Sequence, residues 1–406
     1  MSSNRSFISR ILSTNPSLVY LKPEDRYLTE PEEQMITCGV IGVGINGQEH
    51  LRNFVFEGHA AVKGFYDTAD ASADAAARMF EAFTHGRSLH RYASIAELCS
   101  DPDIDAVMIS TPNYTHIEVI REVVKYKKHI LLEKPMATTV KDAWEIWNLA
   151  KNYPAVFQIG LQYRYKSIYR EAIYEAQKRK TVGDIRTISI SEQRIPFLDK
   201  VNQWNKFNAY SGGTLVEKCC HYFDLFNLFA ASRPKAVYAV GSQAVNYSDF
   251  SYQGEASDIL DNAFVIIEYE NGVKGNFNLC MFAPMFFEEL TLCGTNGRLH
   301  AQEKQDFSAR RGLTSELSIA CNDGQPARNT ETFYPAVIEE IGHHGATYFE
   351  HVRFIENIKG IENDSASVEE GFWAVVVGAA AQESIATGQR VEIEAFLKKE
   401  QVTLTL

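Results

Sequence analysis

The sequence predicts an α/β chain: an N-terminal doubly wound Rossmann domain, then an α+β domain with one large, mostly antiparallel sheet. Three observations predict it. From Met35 short apolar runs alternate with helix-like segments, as in parallel strands joined by crossover helices. A glycine turn, Gly42-x-Gly44-x-x-Gly47, stands where the first run meets the first helix. After about Leu161 extended runs follow one another directly, with the hairpin pair Asn271-Gly272 between two of them.

The elements follow in order. Residues 1–34 carry Ser, Asn, Pro and Glu clusters without periodicity and read as an arm that orders against a partner subunit. The nucleotide domain is expected over 35–155, with strands at Ile36–Val43, Ala61–Asp67, Asp105–Ser110, His129–Glu133 and Ala155–Leu161. Helices are expected at Ile45–Phe56, Ala69–Phe83, Thr115–Lys125 and Thr139–Asn152. The α+β domain is expected over 156–394, opening with a helix at Ile168–Lys178 and an extended run at Ile185–Ile195. A single helix is expected over Thr214–Phe229, followed by strands at Val237–Ala244, Asp261–Tyr269, Val273–Cys280, Phe286–Cys293 and Gly297–Ala301. Residues 303–340 read as irregular, helices Ala346–Ile358 and Val368–Ala386 follow, and 395–406 form a tail.

Composition bounds the function. At 406 residues two domains are the natural expectation, and 45% hydrophobic residues supply an ample core. A net charge of −12 argues against a nucleic acid or an anionic membrane as main partner. Seven scattered cysteines without Cys-x-x-Cys spacing read as reduced thiols. No apolar run has membrane-span length and no secretory signal opens the chain, so a cytoplasmic location is expected.

The glycine turn is the strongest chemical signal. Gly42 permits the tight turn, Gly44 lets backbone approach a pyrophosphate, and Gly47 lets helix and sheet pack closely. Ile45 and Asn46 open the helix whose unpaired N–H groups meet the phosphates. Asp67, about 20 residues beyond Gly47, accepts from ribose hydroxyls and repels a 2′-phosphate, so NAD is the expected cofactor. Thr111, Pro112, Asn113 and His116 end the next strand, where the nicotinamide is expected; His116 reads as a capping or packing group rather than a reacting one.

Glu133-Lys134-Pro135 places a charged pair after the apolar run Ile130-Leu131-Leu132. A lysine beside a nicotinamide can take or polarise a hydroxyl proton; a surface salt bridge at a strand end is the plain alternative. In the run Gly212-Gly213-Thr214 to Asp224, Glu217, His221 and Asp224 are spaced i, i+4, i+7 on an otherwise apolar helix. A carboxylate beside a histidine suits proton transfer, and a satisfied core network is the alternative. Cys219-Cys220-His221 is no metal site: successive helical residues diverge and the usual spacings are absent.

With these groups in order, the chain resembles the glucose–fructose oxidoreductase/inositol dehydrogenase (Gfo/Idh/MocA) family over roughly Met35 to Ile393. The resemblance implies that Lys134 contacts the reacting hydroxyl and that Glu217 and His221 complete the catalytic set, with His221 as general base. Two departures stand out: Glu217 is more often Asp in inositol dehydrogenases, and Cys219 replaces a common Gly. Substrate contacts are expected at Lys134, Gln162, Arg164, Tyr165, Arg194, Trp204, Glu217 and His221. The substrate implied is a cyclic polyol or sugar; Arg164, Lys166, Arg194 and Lys200 leave an acidic sugar open. A homodimer or homotetramer is expected, formed through a sheet face bearing Phe277, Leu279, Met281 and Phe282.

Three other readings compete with this one. Tyr174 to Lys178 matches the Tyr-x-x-x-Lys of short-chain dehydrogenases but lies outside the nucleotide domain. An NAD-dependent glycosidase working by transient oxidation at C3 needs the same residues and would accumulate no NADH. A sugar-sensing regulator on the same fold is disfavoured by the intact Lys134 and His221.

Overall fold

The computed structural model describes residues 36–305 and 312–404; the expected N-terminal arm lies outside them. Contacts group the chain into two compact units. The first runs up to Ala137, resumes over Asp142–Tyr165 and takes in Tyr334–Gly371. The second comprises Thr138–Lys141, Lys166–Phe333 and Phe372–Leu406. The grouping is therefore not sequential, because the helix at Ala346–Ile358 puts Phe354 and Ile355 into the core of the first unit.

The first unit is built on six parallel strands: β1 (Ile36–Ile41), β2 (Ala60–Tyr66), β3 (His90–Arg91), β4 (Ala106–Ile109), β5 (His129–Glu133) and β6 (Phe157–Gly160). Their order is β3-β2-β1-β4-β5-β6, the doubly wound arrangement. Helices α1 (Ile45–Glu57), α2 (Asp70–Phe83), α3 (Ile95–Ser100), α4 (His116–Val123) and α5 (Val140–Ala150) cross between the strands, and α6 (Ser167–Ile173) follows β6 in the chain. Val40, Met108 and Leu131 are sealed against Leu51 and Phe54 of α1 and Ala73, Ala76 and Phe80 of α2. Burial on both faces is why β4 and β5 read as unbroken apolar runs. The strand order reverses between β1 and β4, and ligands of such sheets bind at the carboxyl ends there.

The second unit is organised by a nine-stranded sheet. Its strands are β7 (Ile185–Gln193), β8 (Pro234–Ser242), β11 (Asn262–Tyr269), β12 (Lys274–Cys280), β13 (Phe287–Gly294), β14 (Gly297–Gln305), β15 (Leu313–Cys321), β16 (Arg328–Glu331) and β17 (Val391–Glu392), while β9 (Ser251–Tyr252) and β10 (Glu255–Ala256) form a separate ribbon. The order is β16-β15-β14-β13-β7-β12-β11-β8-β17; β7 and β12 run parallel and the remaining pairs antiparallel. Asn271-Gly272 does join β11 to β12 as a hairpin. β15 and β16 fall in the stretch expected to be irregular. Only Leu317 and Ile319 of β15 are buried apolar residues, too few for the alternation to show.

Helix α7 (Cys220–Ala230) covers one face of this sheet, with Tyr222 and Phe223 ring centroids 4.9 and 5.7 Å from Phe277. Phe277 is buried beneath it, and Leu279 and Met281 are buried too, which corrects the expectation that these three form the bare face. The opposite face exposes Tyr238 and Val240 of β8 against Ile266 and Phe264 of β11, their register partners. A buried ionic knot anchors the middle of the sheet. Lys166 Nζ lies 2.5 Å from Glu288 and 2.6 Å from Glu303, and Tyr222 Oη donates to Glu288 at 2.7 Å.

Candidate cofactor and catalytic residues

The glycine turn is shaped by close approaches. Gly42 has φ +87, and a side chain there would meet the Ser110–Thr111 backbone at 2.8 Å. A Cβ on Gly47 would come within 2.2 Å of the Gly42 carbonyl oxygen, whereas one on Gly44 would meet nothing within 4 Å. Gly42 and Gly47 are thus spent on packing, and Gly44 keeps an open cradle at the N-terminus of α1, where the free N–H groups point. Ile45 stands 53% exposed beside it, an apolar wall without protein cover. Ser110 Oγ donates to the Gly42 carbonyl at 2.7 Å, tying the end of β4 to the turn.

Asp67 closes β2. Its carboxylate accepts the Val43 and Ala69 amides, each at 2.7 Å, which fixes its position beside the turn. An ionised carboxylate has about four acceptor sites, so ribose hydroxyls still find acceptors there. A dinucleotide therefore fits the residues present. His116 is fully buried, with Nδ1 2.9 Å from the Pro135 carbonyl and Nε2 3.0 Å from that of Thr111. Burial lowers its pKa, and a neutral imidazole has one N–H, so it donates to one of these two carbonyls and packs against the other.

Glu133 is 3% exposed, which removes the surface salt bridge as an explanation of the Glu-Lys pair. Its Oε1 accepts from His50 Nε2 at 2.8 Å and its Oε2 from the Lys134 amide at 3.0 Å. Burial alone would raise this carboxyl, but the His50 hydrogen bond and the Lys134 charge outweigh it and hold the pKa below the ordinary value. Glu133 is accordingly a support under Lys134, not a surface acid. Lys134 itself is half-buried at the carboxyl end of β5.

In the second unit the helix expected over Thr214–Phe229 is broken. A turn at Thr214–Glu217 and α7 are separated at Lys218–Cys219, so the regular spacing from Glu217 to His221 is interrupted. Both residues are nevertheless buried, as is Asp224. Lys200 Nζ lies 3.8 Å from Glu217 Oε1 and 4.8 Å from the Trp204 ring centroid, which brings an acid, a cation and an aromatic wall into one cluster. Lys218 is turned to Glu192 at 3.0 Å.

Several of the expected substrate contacts are buried or engaged by other protein groups. Arg164 is buried in an ion pair with Glu370 at 2.7 Å. Tyr165 packs with Tyr334, Ile338 and Phe349 in a separate core cluster. Lys166, one of the cations that leave an acidic sugar open, pairs with Glu288 and Glu303. Arg194 is part-exposed, donating to the Ile195 carbonyl at 3.1 Å and lying over the Phe197 ring. Gln162 is buried, its Oε1 without a hydrogen bond. Sequence reasoning missed His50, Glu350 and His351, which adjoin Glu133; their partners are about 300 residues apart and no local spacing reveals them.

A doubly wound sheet with this glycine turn, acid and loop defines an NAD-binding oxidoreductase class. Residues 36–161 match the GFO_IDH_MocA model, described as "Oxidoreductase family, NAD-binding Rossmann fold", and residues 178–393 match its "C-terminal alpha/beta domain". The chain belongs to this family of oxidoreductases. Similar proteins include a myo-inositol 2-dehydrogenase from Thermotoga maritima, 25% identical over 88% of this chain and 98% of the relative. A 2,7-anhydro-N-acetylneuraminate hydratase from Escherichia coli is 24% identical over 87% of this chain and 93% of the relative. Among solved structures, a levoglucosan dehydrogenase in complex with NADH superposes with a TM-score of 0.74 at 21% identity, covering 89% of this chain and 99% of the other. No described helix is long and apolar enough to cross a membrane.

Proposed function

We propose that this protein oxidises a secondary hydroxyl of a cyclic polyol or sugar, with Lys134 and His221 handling the hydroxyl proton. The observation that carries the reading is the open Gly44 cradle at the sheet's reversal point between β1 and β4, with a half-buried lysine at the end of β5, the strand beyond β4, its amide held by a buried glutamate. NAD bound there supplies a hydride acceptor. Gly42, Gly44, Ile45, Asn46, Gly47 and Asp67 hold it, and Thr111, Pro112 and Asn113 border its reactive end. Glu133 fixes the Lys134 backbone, so the ammonium polarises the hydroxyl oxygen from a set position. His221 takes the proton as general base, with Glu217 as its acidic companion. Trp204 supplies an apolar wall and Arg194 a donor toward ring hydroxyls. The myo-inositol and levoglucosan relatives support this substrate class.

The bare apolar face of Tyr238, Val240, Ile266 and Phe264 supports a homo-oligomer paired through the sheet. All seven cysteines are free, which supports a reducing, cytoplasmic setting. The hydratase relative supports a second, redox-neutral reading in which NADH forms and is consumed within each turnover. One experiment separates the two: purified protein and NAD against inositols, hexoses, anhydro sugars and aryl glycosides, following NADH and product together. Dehydrogenation yields many equivalents of NADH per chain. Product without accumulated NADH would replace it with the redox-neutral reaction.

A further inference from the structure

Two histidines and two carboxylates are buried together behind Lys134, and the proposed reaction uses only Glu133. His50 lies on the inward face of α1, one turn past Gly47, and Glu350 and His351 lie on α8 (Ala346–Ile358). All are at most 3% exposed. One donor atom from each of His50, Glu350 and His351 lies within 4.8 Å of the others. Packing holds them there. The two imidazoles stack at 5.0 Å, 9° from parallel, and Phe54 supports His351 at 4.0 Å. A side chain on Gly160 would come within 3.3 Å of Glu350 Oε1, so the glycine leaves the carboxylate room.

The hydrogen bonding of this cluster is incomplete. His50 Nε2 donates to Glu133, which leaves the Nδ1 lone pair facing His351 Nε2 at 2.7 Å. Both Glu350 carboxyl oxygens lack a hydrogen-bond partner. In its ionised form a wholly buried carboxyl with no donor is costly, and a cation would compensate it. Neighbouring Glu49 does not serve as one more ligand, being engaged by His343 at 2.7 Å and Thr347 at 2.6 Å.

We propose that His50 Nδ1, His351 Nε2 and a Glu350 carboxylate oxygen bind one divalent transition-metal ion, zinc by ligand type. Two imidazoles and a carboxylate are a known zinc-binding set, with a fourth position left to water. Glu133 on the far nitrogen of His50 is the outer carboxylate that orients a metal-bound imidazole. With Zn–N distances of about 2.0–2.1 Å, a tetrahedral nitrogen pair stands about 3.3 Å apart. Metal entry therefore opens the imidazole pair by about half an ångström and expels the proton they share. The ion ties α8 to α1 and, through Glu133, steadies the amide of Lys134.

The test is metal binding by the chelator-treated full chain, independent of any substrate. Cobalt is titrated while its visible absorption is followed, and zinc is measured by calorimetry and by thermal unfolding. One ion per chain, a low-symmetry four- or five-coordinate cobalt spectrum and a higher unfolding temperature are expected. All three are lost in Glu350→Gln and His351→Ala and kept in His343→Ala. No stoichiometric uptake at micromolar metal, or uptake that survives both substitutions, overturns the site. Should those variants fail to fold, the wild-type cobalt spectrum decides: an octahedral, all-water spectrum overturns it equally.

Discussion

Glu133 accepts a hydrogen bond from His50 Nε2 at 2.8 Å and shares none of its surface with solvent beyond 3%. The residue beside Lys134 is thus braced from inside the unit, by a helix that begins at the glycine turn. Cofactor cradle and lysine are mechanically joined through α1: Gly47 sets how closely the helix packs, and His50, one turn on, holds Glu133.

Asp67 is expected to make NAD the preferred cofactor. Its carboxylate is fixed by two backbone amides, so a 2′-phosphate meets a negative charge that cannot swing away. Wild-type kcat/KM for NAD should exceed that for NADP by on the order of tenfold or more, equivalent to about 1.4 kcal/mol. Asp67→Ser should narrow the ratio. Equal use of both cofactors by the wild type would refute the assignment.

Gly44 and Gly47 should fail in different ways when changed to alanine. At Gly44 (φ −66, ψ −158) the added methyl enters open space, so the fold should survive while NAD affinity falls. At Gly47 it strikes the Gly42 carbonyl at 2.2 Å, forcing helix and strand apart at a cost of about 1–3 kcal/mol. Unfolding temperature and NAD titration on the two variants check this. Unchanged NAD affinity in a folded Gly44→Ala would place the pyrophosphate elsewhere.

The Lys166 knot should be a stability element and not an anion site. Lys166→Met leaves Glu288 and Glu303 buried without their cation, and breaking such a pair costs about 3–5 kcal/mol. Burial raises the Glu288 carboxyl, but Lys166, Lys218 and the hydrogen bonds outweigh it and the net pKa is lowered. A lowered folded-state pKa contributes stability that is present above the unfolded value near 4.3 and lost as pH falls through the folded one. The unfolding temperature should therefore drop on acidification below about pH 4, less steeply in Glu288→Gln. A Lys166→Met protein with wild-type stability and weakened substrate binding would reverse the assignment.

Phe264 and Ile266 are expected to sit in a subunit interface. Light scattering should show a dimer or larger for wild type, and Phe264→Glu with Ile266→Lys should shift it toward one chain. A wild-type monomer would leave this face without a partner copy.

The nucleotide unit was legible in the sequence because its signals are local. Apolar runs, a glycine turn and an acid about 20 residues on lie within one stretch of chain. Strand β5 has the expected ends, and α1 and α2 lie within one residue of theirs. What was not legible depends on distant partners. Arg164, Tyr165 and Lys166 read as a polar run, and nothing local announces their distant partners Glu370, the Tyr334 cluster and Glu288. The bare sheet face was misassigned because a strand's alternation does not say which set of side chains the helix covers. Phe277 and Phe264 are both phenylalanines on neighbouring strands; only the α7 packing separates them. His50 and His351 are invisible to spacing for the same reason.

The most direct measurement is turnover set beside NAD affinity in Lys134→Ala and His221→Ala. Removing a proton-transfer group typically costs on the order of 10²–10⁴ in rate. Both variants should lose that much kcat on the best polyol or sugar substrate while binding NAD with wild-type affinity by calorimetry. A variant that keeps more than about a tenth of wild-type turnover would contradict a proton-transfer role for that residue.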